Sequence, residues 1–284
     1  MLPNAKTCFY PRSPAEAFRI LKESGPRLLI LAGGTTAALS NDPKIEALMD
    51  ITRLGHDTIE PIGTGFRLGC NVRLQDLAES AALQEFCGGM VAQAAGAVGS
   101  RPIRNAATVG GNAVQVFRWS DPPVAWLALN ARFEIEGPAG ARSLGADEFY
   151  ARHPRQALDA AELVLGVRLE RPEGPHAGAF SKLARTAFDL AIVDVAVLLL
   201  GSRESCQGAR IAIGATRTLP WRAARAEERL RGQPLTAEAL ADAARLARED
   251  TQTAGDARTS AEYRLQMVEV MVRRTLQQAA DRLR

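Results

Sequence analysis

The chain has 284 residues, of which 46% are hydrophobic, 24% charged and 5% aromatic, and its formal net charge is +3. A charge this small, with basic residues scattered rather than striped, gives nucleic acid no electrostatic footprint, and the composition excludes long disorder. A chain of this length outgrows one hydrophobic core, so two or three subdomains of roughly 60 to 120 residues are expected.

Cys8, Cys70, Cys87 and Cys206 lie far apart with no Cys-x-x-Cys pair, and His56, His153 and His176 do not cluster. The expectation is free thiols, buried or half-buried in a reducing compartment, with no iron–sulfur or zinc site carried by this chain. The start, Met1 to Lys6, lacks the basic end and apolar stretch of a signal peptide. No window approaches the roughly 18 uninterrupted apolar residues of a membrane span, and the expected location is cytoplasmic.

Ser13-Pro14 opens a predicted helix carrying Ala15, Phe18 and Leu21 on one face and ending at Gly25. Proline suits a first helical turn and glycine the residue after a last one. Arg27 to Ala32 follows as a short buried strand that delivers Gly33-Gly34-Thr35-Thr36. Ala47 to Ile51 reads as a second strand, and Thr58 to Cys70 as a hairpin turning at Gly63-Thr64-Gly65. Asn71 is the predicted N-cap of one helix that buries Leu74, Leu77, Ala78, Ala81 and Ala82 and ends near Cys87-Gly88-Gly89. Met90 to Val98 makes another helix, closing at Gly99-Ser100, and Ile103 to Asn112 follows as an irregular stretch.

Pro122-Pro123 starts a helix over Val124 to Asn130. Phe133 to Glu136 and Leu163 to Leu169 alternate as antiparallel strands, with a turn at Gly137 to Gly140. Pro172, Gly174 and Pro175 mark a boundary near residues 171–176. Two further strands, Leu190 to Leu200 and Ala209 to Ala215, are joined by the polar turn Gly201 to Ser205. Asp194 interrupts the first of them and reads as an edge or hydrogen-bonded position rather than a catalytic group. In the last helix Leu265, Val268, Val272, Leu276, Ala279 and Leu283 form one stripe, and Thr259 with Glu262 fits a capping box. The C-terminal part is expected to be antiparallel strands covered by helices. No internal repeat of fixed period is present.

Two segments, Leu31 to Thr36 and Ile103 to Asn112, each set adjacent glycines beside small hydroxyl or amide side chains. Glycine permits positive φ and close approach, and successive N–H groups curled around an oxyanion form a positive nest. Two such loops suit a ligand with two phosphates.

Ala32-Gly33-Gly34-Thr35-Thr36, Gly69-Cys70-Asn71-Val72-Arg73-Leu74-Gln75-Asp76-Leu77, Arg104 to Asn112, Phe180 to Val193 and Ser260-Ala261-Glu262-Tyr263-Arg264 occur in this order along the chain. Together they resemble the flavin-binding medium subunit of the molybdenum hydroxylases, the family of xanthine dehydrogenase and carbon monoxide dehydrogenase. The resemblance implies an α+β fold: a two-subdomain FAD-binding domain of the vanillyl-alcohol oxidase type over 1–173, split near 55–60, then a C-terminal domain over 174–284.

It also implies a set of contacts. The pyrophosphate would meet Gly33, Gly34, Thr35 and Thr36, with Ala32 closing the turn, and Thr108, Gly110, Gly111 and Asn112 in the second loop. Asp121 matches an acid directed at the ribityl hydroxyls, although before Pro122 it also suits a helix cap. Leu165 matches an apolar residue near the ring system and would otherwise be plain core. Lys182 matches a basic residue near the flavin edge, where a positive charge raises the potential, the alternative being a solvated surface lysine. A Gly111→Val change should leave the protein largely flavin-free.

The implied role is electron transfer in a heterotrimer. FAD would be held here, [2Fe-2S] clusters on a small subunit and molybdopterin on a large subunit, with NAD, a quinone or oxygen as acceptor. Phe117-Arg118-Trp119 departs from the family's small residues and leaves that acceptor open. Two other readings are a stand-alone flavin oxidoreductase and a non-enzymatic assembly scaffold.

Overall fold

The computed structural model describes residues 2–283, apart from the side chain of Ala38. The chain forms two units that interleave in sequence. The first comprises the chain to Asp76, Arg101–Val116 and Arg132–Leu169; the second comprises Leu77–Ser100, Phe117–Ala131 and the chain from Glu170 onward.

The first unit holds two sheets. Strands β1 (Thr7–Phe9), β2 (Leu28–Leu31) and β3 (Ala47–Asp50) are parallel in the order β1-β3-β2. A parallel neighbour needs a crossover, and the helix Pro14–Ser24 leads from β1 towards β2. Ser13 caps it by accepting from Glu16 N–H, Pro14 sits in its first turn, and Gly25 ends it at φ 58°. Ala17, Phe18, Ile20 and Leu21 are its buried face, packed with Leu28, Met49, Cys70 and Leu165. Ala15, expected inside, is exposed.

The other sheet contains β4 (Ile59–Ile62), β5 (Gly65–Gly69), β6 (Arg132–Gly137), β7 (Gly140–Gly145) and β8 (Leu163–Leu169). All pairs are antiparallel, in the order β4-β5-β8-β6-β7. The sequence pattern missed β7, because this edge strand has no buried residue to give it an alternating signal.

In the second unit, β9 (His176–Leu183), β10 (Val193–Gly201), β11 (Cys206–Gly214) and β12 (Trp221–Arg222) form an antiparallel sheet in the order β12-β11-β10-β9. Helices Ala224–Leu230, Ala237–Glu249 and Ala261–Arg282 cover one face, against Val193, Val195, Val197, Leu199, Ile211 and Ile213. The fully buried helix Pro122–Ala128 packs on the other face.

Two helix caps differ from expectation. The single helix expected after Asn71 is broken into Leu74–Glu79 and Ala81–Glu85, because Ser80 takes the cap position and accepts from Leu83 N–H. Ala81 and Ala82 are therefore exposed. The cap of the last helix is Ser260, one residue beyond Thr259, and it accepts from Tyr263 N–H. Among the described residues, no helix is long and apolar enough to cross a membrane. Cys70, Cys87 and Cys206 are buried free thiols and Cys8 is half-buried.

Candidate functional site

The end of β2 delivers the first glycine loop against the second. A Cβ on Gly33 would overlap the carbonyl oxygen of Ala106, so only glycine lets the two segments meet. Gly34 turns at φ 68°, a left-handed conformation that side chains disfavour. Among the described residues, the main-chain N–H groups of Gly33, Gly34, Thr35 and Thr36 donate to no group of the protein. Four successive unengaged donors in a tight turn form a site for an oxyanion.

The second segment corrects the expectation of an irregular loop with bare glycines. Arg101–Ala106 is one short helix, and Val109–Val114, which contains both glycines, is another. Thr108 is the N-cap of the latter: its Oγ1 accepts from Gly111 N–H at 3.2 Å. Gly110 N–H donates to the Cys70 carbonyl at 2.8 Å, and Val109 N–H to the Val72 carbonyl at 2.9 Å. The glycine donors are thus spent inside the protein. Gly110 serves instead by its size, since a Cβ there would come within 2.8 Å of Cys70 Cβ. What this segment offers a ligand is the Thr108 hydroxyl proton and the Asn112 amide, whose buried Oδ1 has no partner.

A cleft of about 340 Å³ opens between the two segments, lined by Gly33, Asn105, Ala106 and Thr108 together with Thr52, Asn71, Arg73 and two carboxylates, Asp57 and Asp76. Asn71, expected to cap a helix, is a strut: its Nδ2 donates to the carbonyls of Ile51 and Gly55, both at 2.8 Å. Its Oδ1 is buried and unpartnered. Asn71, Arg73 and Asn105 had not been singled out as lining residues. Their polarity alone gave no signal, because they meet only in the fold, where a main-chain bridge pairs Arg73 with Thr108. Leu165 is 3% exposed and lies in the core cluster behind the loops.

Asp121 and Lys182 belong to the second unit. Asp121 stands at the start of the helix Pro122–Ala128, yet its side chain makes no cap bond. Its Oδ2 accepts from Lys182 Nζ at 2.9 Å, and Lys182 also donates to the Ala97 carbonyl at 2.8 Å. The two side chains are 4% and 10% exposed, which excludes a solvated surface lysine. Asp121 Oδ1 is buried with no partner. Burial pushes the Asp121 carboxyl up to about 7 despite the opposing pull of Lys182.

Asp194 corrects another expectation. It lies on the interior strand β10, not at an edge, with Lys182 opposite on β9 and Gly214 opposite on β11. It is fully buried, and among the described residues neither oxygen has a hydrogen-bond partner. A Cβ on Gly214 would collide with Asp194 Oδ1, so glycine there makes the room. Burial, and then the charge of Asp121, hold its carboxyl well above the usual carboxylate range, with Lys182 opposing.

The aromatic departure is anchored within the same unit. Phe117 and Trp119 stack with ring centroids 5.5 Å apart, and Arg258 lies over Trp119 at 5.7 Å. Arg118 donates to the carbonyls of Ala215 and Ala254 and to Thr253 Oγ1.

Comparison with known proteins adds independent findings. A family described as the FAD binding domain in molybdopterin dehydrogenase matches residues 4–172, and one described as the CO dehydrogenase flavoprotein C-terminal domain matches 178–279. The chain is 30% identical to the carbon monoxide dehydrogenase medium chain of Afipia carboxidovorans, over 99% of each. Its structure resembles a chain of the carbon monoxide dehydrogenase from Hydrogenophaga pseudoflava, solved without the Mo-pyranopterin moiety, with a TM-score of 0.93, 29% identity and 100% of both chains covered. Quinoline 2-oxidoreductase from Pseudomonas putida 86 is also similar, with a TM-score of 0.89 and 25% identity over 99% of this chain and 98% of that one.

Proposed function

Because the chain belongs to the FAD-binding medium subunits of the molybdenum hydroxylases, we propose that its two abutting loops hold the diphosphate of FAD in an electron-transfer subunit. The observation that carries the reading is the row of unengaged main-chain donors from Gly33 to Thr36, pressed against Ala106.

The residues present fit the cofactor. Neutral N–H donors and the Thr108 hydroxyl suit a diphosphate, since the donors lose little by facing an anion rather than water. Ala32 leads from the strand into the loop, and Gly110 lets the capped helix pack against Cys70. Three acceptor oxygens, Asn71 Oδ1, Asn112 Oδ1 and Asp121 Oδ1, are buried without partners among the described residues. An unmatched buried polar atom costs on the order of 1–3 kcal/mol, and the hydroxyls and amides of a flavin dinucleotide supply the missing donors. By the resemblance, Asp121 Oδ1 would accept from a ribityl hydroxyl, and Lys182, held on Asp121 Oδ2, would bring its charge to the flavin edge. Leu165 backs the site as core.

When bound, FAD supplies two-electron redox chemistry that can receive single electrons and release a pair. The chain's own residues bind it, orient it and set the local charge. The partners are an iron–sulfur small subunit and a molybdopterin large subunit, and the acceptor is NAD, a quinone or oxygen. The buried thiols suit a reducing, cytoplasmic setting.

Purification of the native complex tests the reading. A flavin absorption spectrum, FAD released on denaturation, and copurifying iron–sulfur and molybdenum subunits are expected. Flavin-free protein that gains no flavin spectrum on incubation with FAD would overturn it, and flavin without the partner subunits would point to a stand-alone oxidoreductase.

A further inference from the structure

The second unit contains a buried acid that the reading above leaves idle. Asp194 faces Lys182 across the β9–β10 pair, but the lysine Nζ is bound elsewhere, to Asp121 Oδ2 and the Ala97 carbonyl. An ionised carboxylate in the interior with no partner is far costlier than the neutral acid, and it would draw a neighbouring ammonium to itself. Neither Asp194 oxygen has drawn one. One ammonium beside two carboxyls is charge-neutral when a single proton is shared between the acids. The geometry puts that proton on Asp194: Asp121 already holds the ammonium, whereas Asp194 is walled in by Gly214 of β11 and Val124 of the overlying helix. Around it, β9 contributes Lys182 and the helix start contributes Asp121. Among the described residues these are the charged groups that act on it.

We propose that Asp194 is a positioning residue for Lys182: as a neutral acid it leaves the ammonium on Asp121, and loss of its proton sets two carboxylates competing for that ammonium and moves Lys182. The proton goes to solvent base, and no other bond changes. The consequence for FAD rests on the reading that Lys182 faces the flavin; the state of Asp194 does not.

Two measurements on the full chain, with and without FAD, test this. Infrared difference spectra in light and heavy water should show a buried carboxylic-acid C=O band at neutral pH in the wild type, lost in Asp194→Asn. The Lys182 Nζ resonance in ¹⁵N-lysine NMR should shift as the wild type is taken alkaline and should stay put in Asp194→Asn. A missing band, a band that survives Asp194→Asn, or a wild-type lysine signal that ignores alkaline pH overturns the proposal, and the wild-type titration decides even if the variant does not fold. A lysine shift in the FAD-loaded protein unaccompanied by any change in flavin absorbance, with Lys182→Met likewise silent, supports Asp194 as positioning residue and instead refutes the placement of FAD beside Lys182.

Discussion

Gly33 carries the sharpest single-residue test. Its missing Cβ is where the Ala106 carbonyl oxygen sits, so Gly33→Ala must push the two loops apart. Overpacking of this kind costs roughly 1–3 kcal/mol, and the displaced N–H groups no longer converge on one anion. Calorimetric titration of Gly33→Ala with FAD should show at least a tenfold weaker affinity, and binding at wild-type strength would refute the nest. The buried acids give a test by pH. Asp121 rises from the ordinary 3.8 to about 7 on folding, and Asp194 rises well above 3.8, both through burial. A folded-state value raised above the unfolded one favours folding fully below the unfolded value, and the benefit is lost as pH climbs through the folded one. Asp194→Asn should therefore gain urea-midpoint stability relative to wild type as pH rises from about 4 to 8; a constant difference across that range would mean that Asp194 is ionised. Residue roles were unevenly legible in the sequence. Gly33-Gly34 closing an apolar strand announces a close approach on its own. Asp194 in a run of valines and leucines looks like an edge position until β9 is known to flank it, and His176–Leu183, with its Gly178 and small alanines, signals a strand only weakly.

Short elements depend on their caps more than on periodicity, and two caps here make different predictions. Thr108 accepts the Gly111 N–H and heads a six-residue helix that contains two glycines, a composition with little intrinsic helicity. Loss of a threonine cap costs about 1 kcal/mol, which such a helix has no propensity to absorb. Thr108→Ala should lower both thermal stability and FAD affinity, whereas Thr108→Ser, which keeps the cap and the hydroxyl, should restore both; equal loss in the two variants would tie the effect to the methyl group instead. Ser260→Ala removes a comparable cap from the 22-residue helix Ala261–Arg282. It should cost about 1 kcal/mol in chemical denaturation and leave FAD binding unchanged. Pro14–Ser24, β8 and the last helix are legible from a buried stripe. β2 and β3 are strands as expected, but the burial expected of Arg27 to Ala32 holds only at Leu28, with Arg27 and Ile30 exposed in this small sheet. Among those missed, the Ser80 break, the Thr108-capped helix and the exposed strand β7 are governed by a single polar atom or by solvent, and β9 by its small residues. The signals of the first two lie in hydrogen bonds to one residue rather than in a repeating apolar pattern.

For the whole molecule, the chain order of the two family matches and the grouping of contacts differ in a way that bears on folding. The family match for the FAD domain runs from residue 4 to 172, yet Leu77–Ser100 and Phe117–Ala131 group with the chain beyond Glu170. Within that second unit, every residue of the helix Pro122–Ala128 is buried, and it packs on β10 and β11. The helix Met90–Gly96 packs on β9, and Gly178 of β9 is glycine because a Cβ would press into the Cys87 carbonyl. A fragment ending near residue 173 keeps these helices and loses the sheet that covers them. Fully burying a side chain such as Val124 or Leu127 contributes about 1.5–3 kcal/mol, so uncovering several removes an amount comparable with the net stability of a typical domain, about 5–15 kcal/mol. The fragment 1–173 should therefore be aggregation-prone, bind a hydrophobic dye, and show no cooperative thermal transition, even with FAD present. Coexpression of 174–284 should rescue it, because the missing strands are supplied whole. A monomeric fragment that melts cooperatively and takes up FAD unaided would show that the first 173 residues cover these helices by another packing.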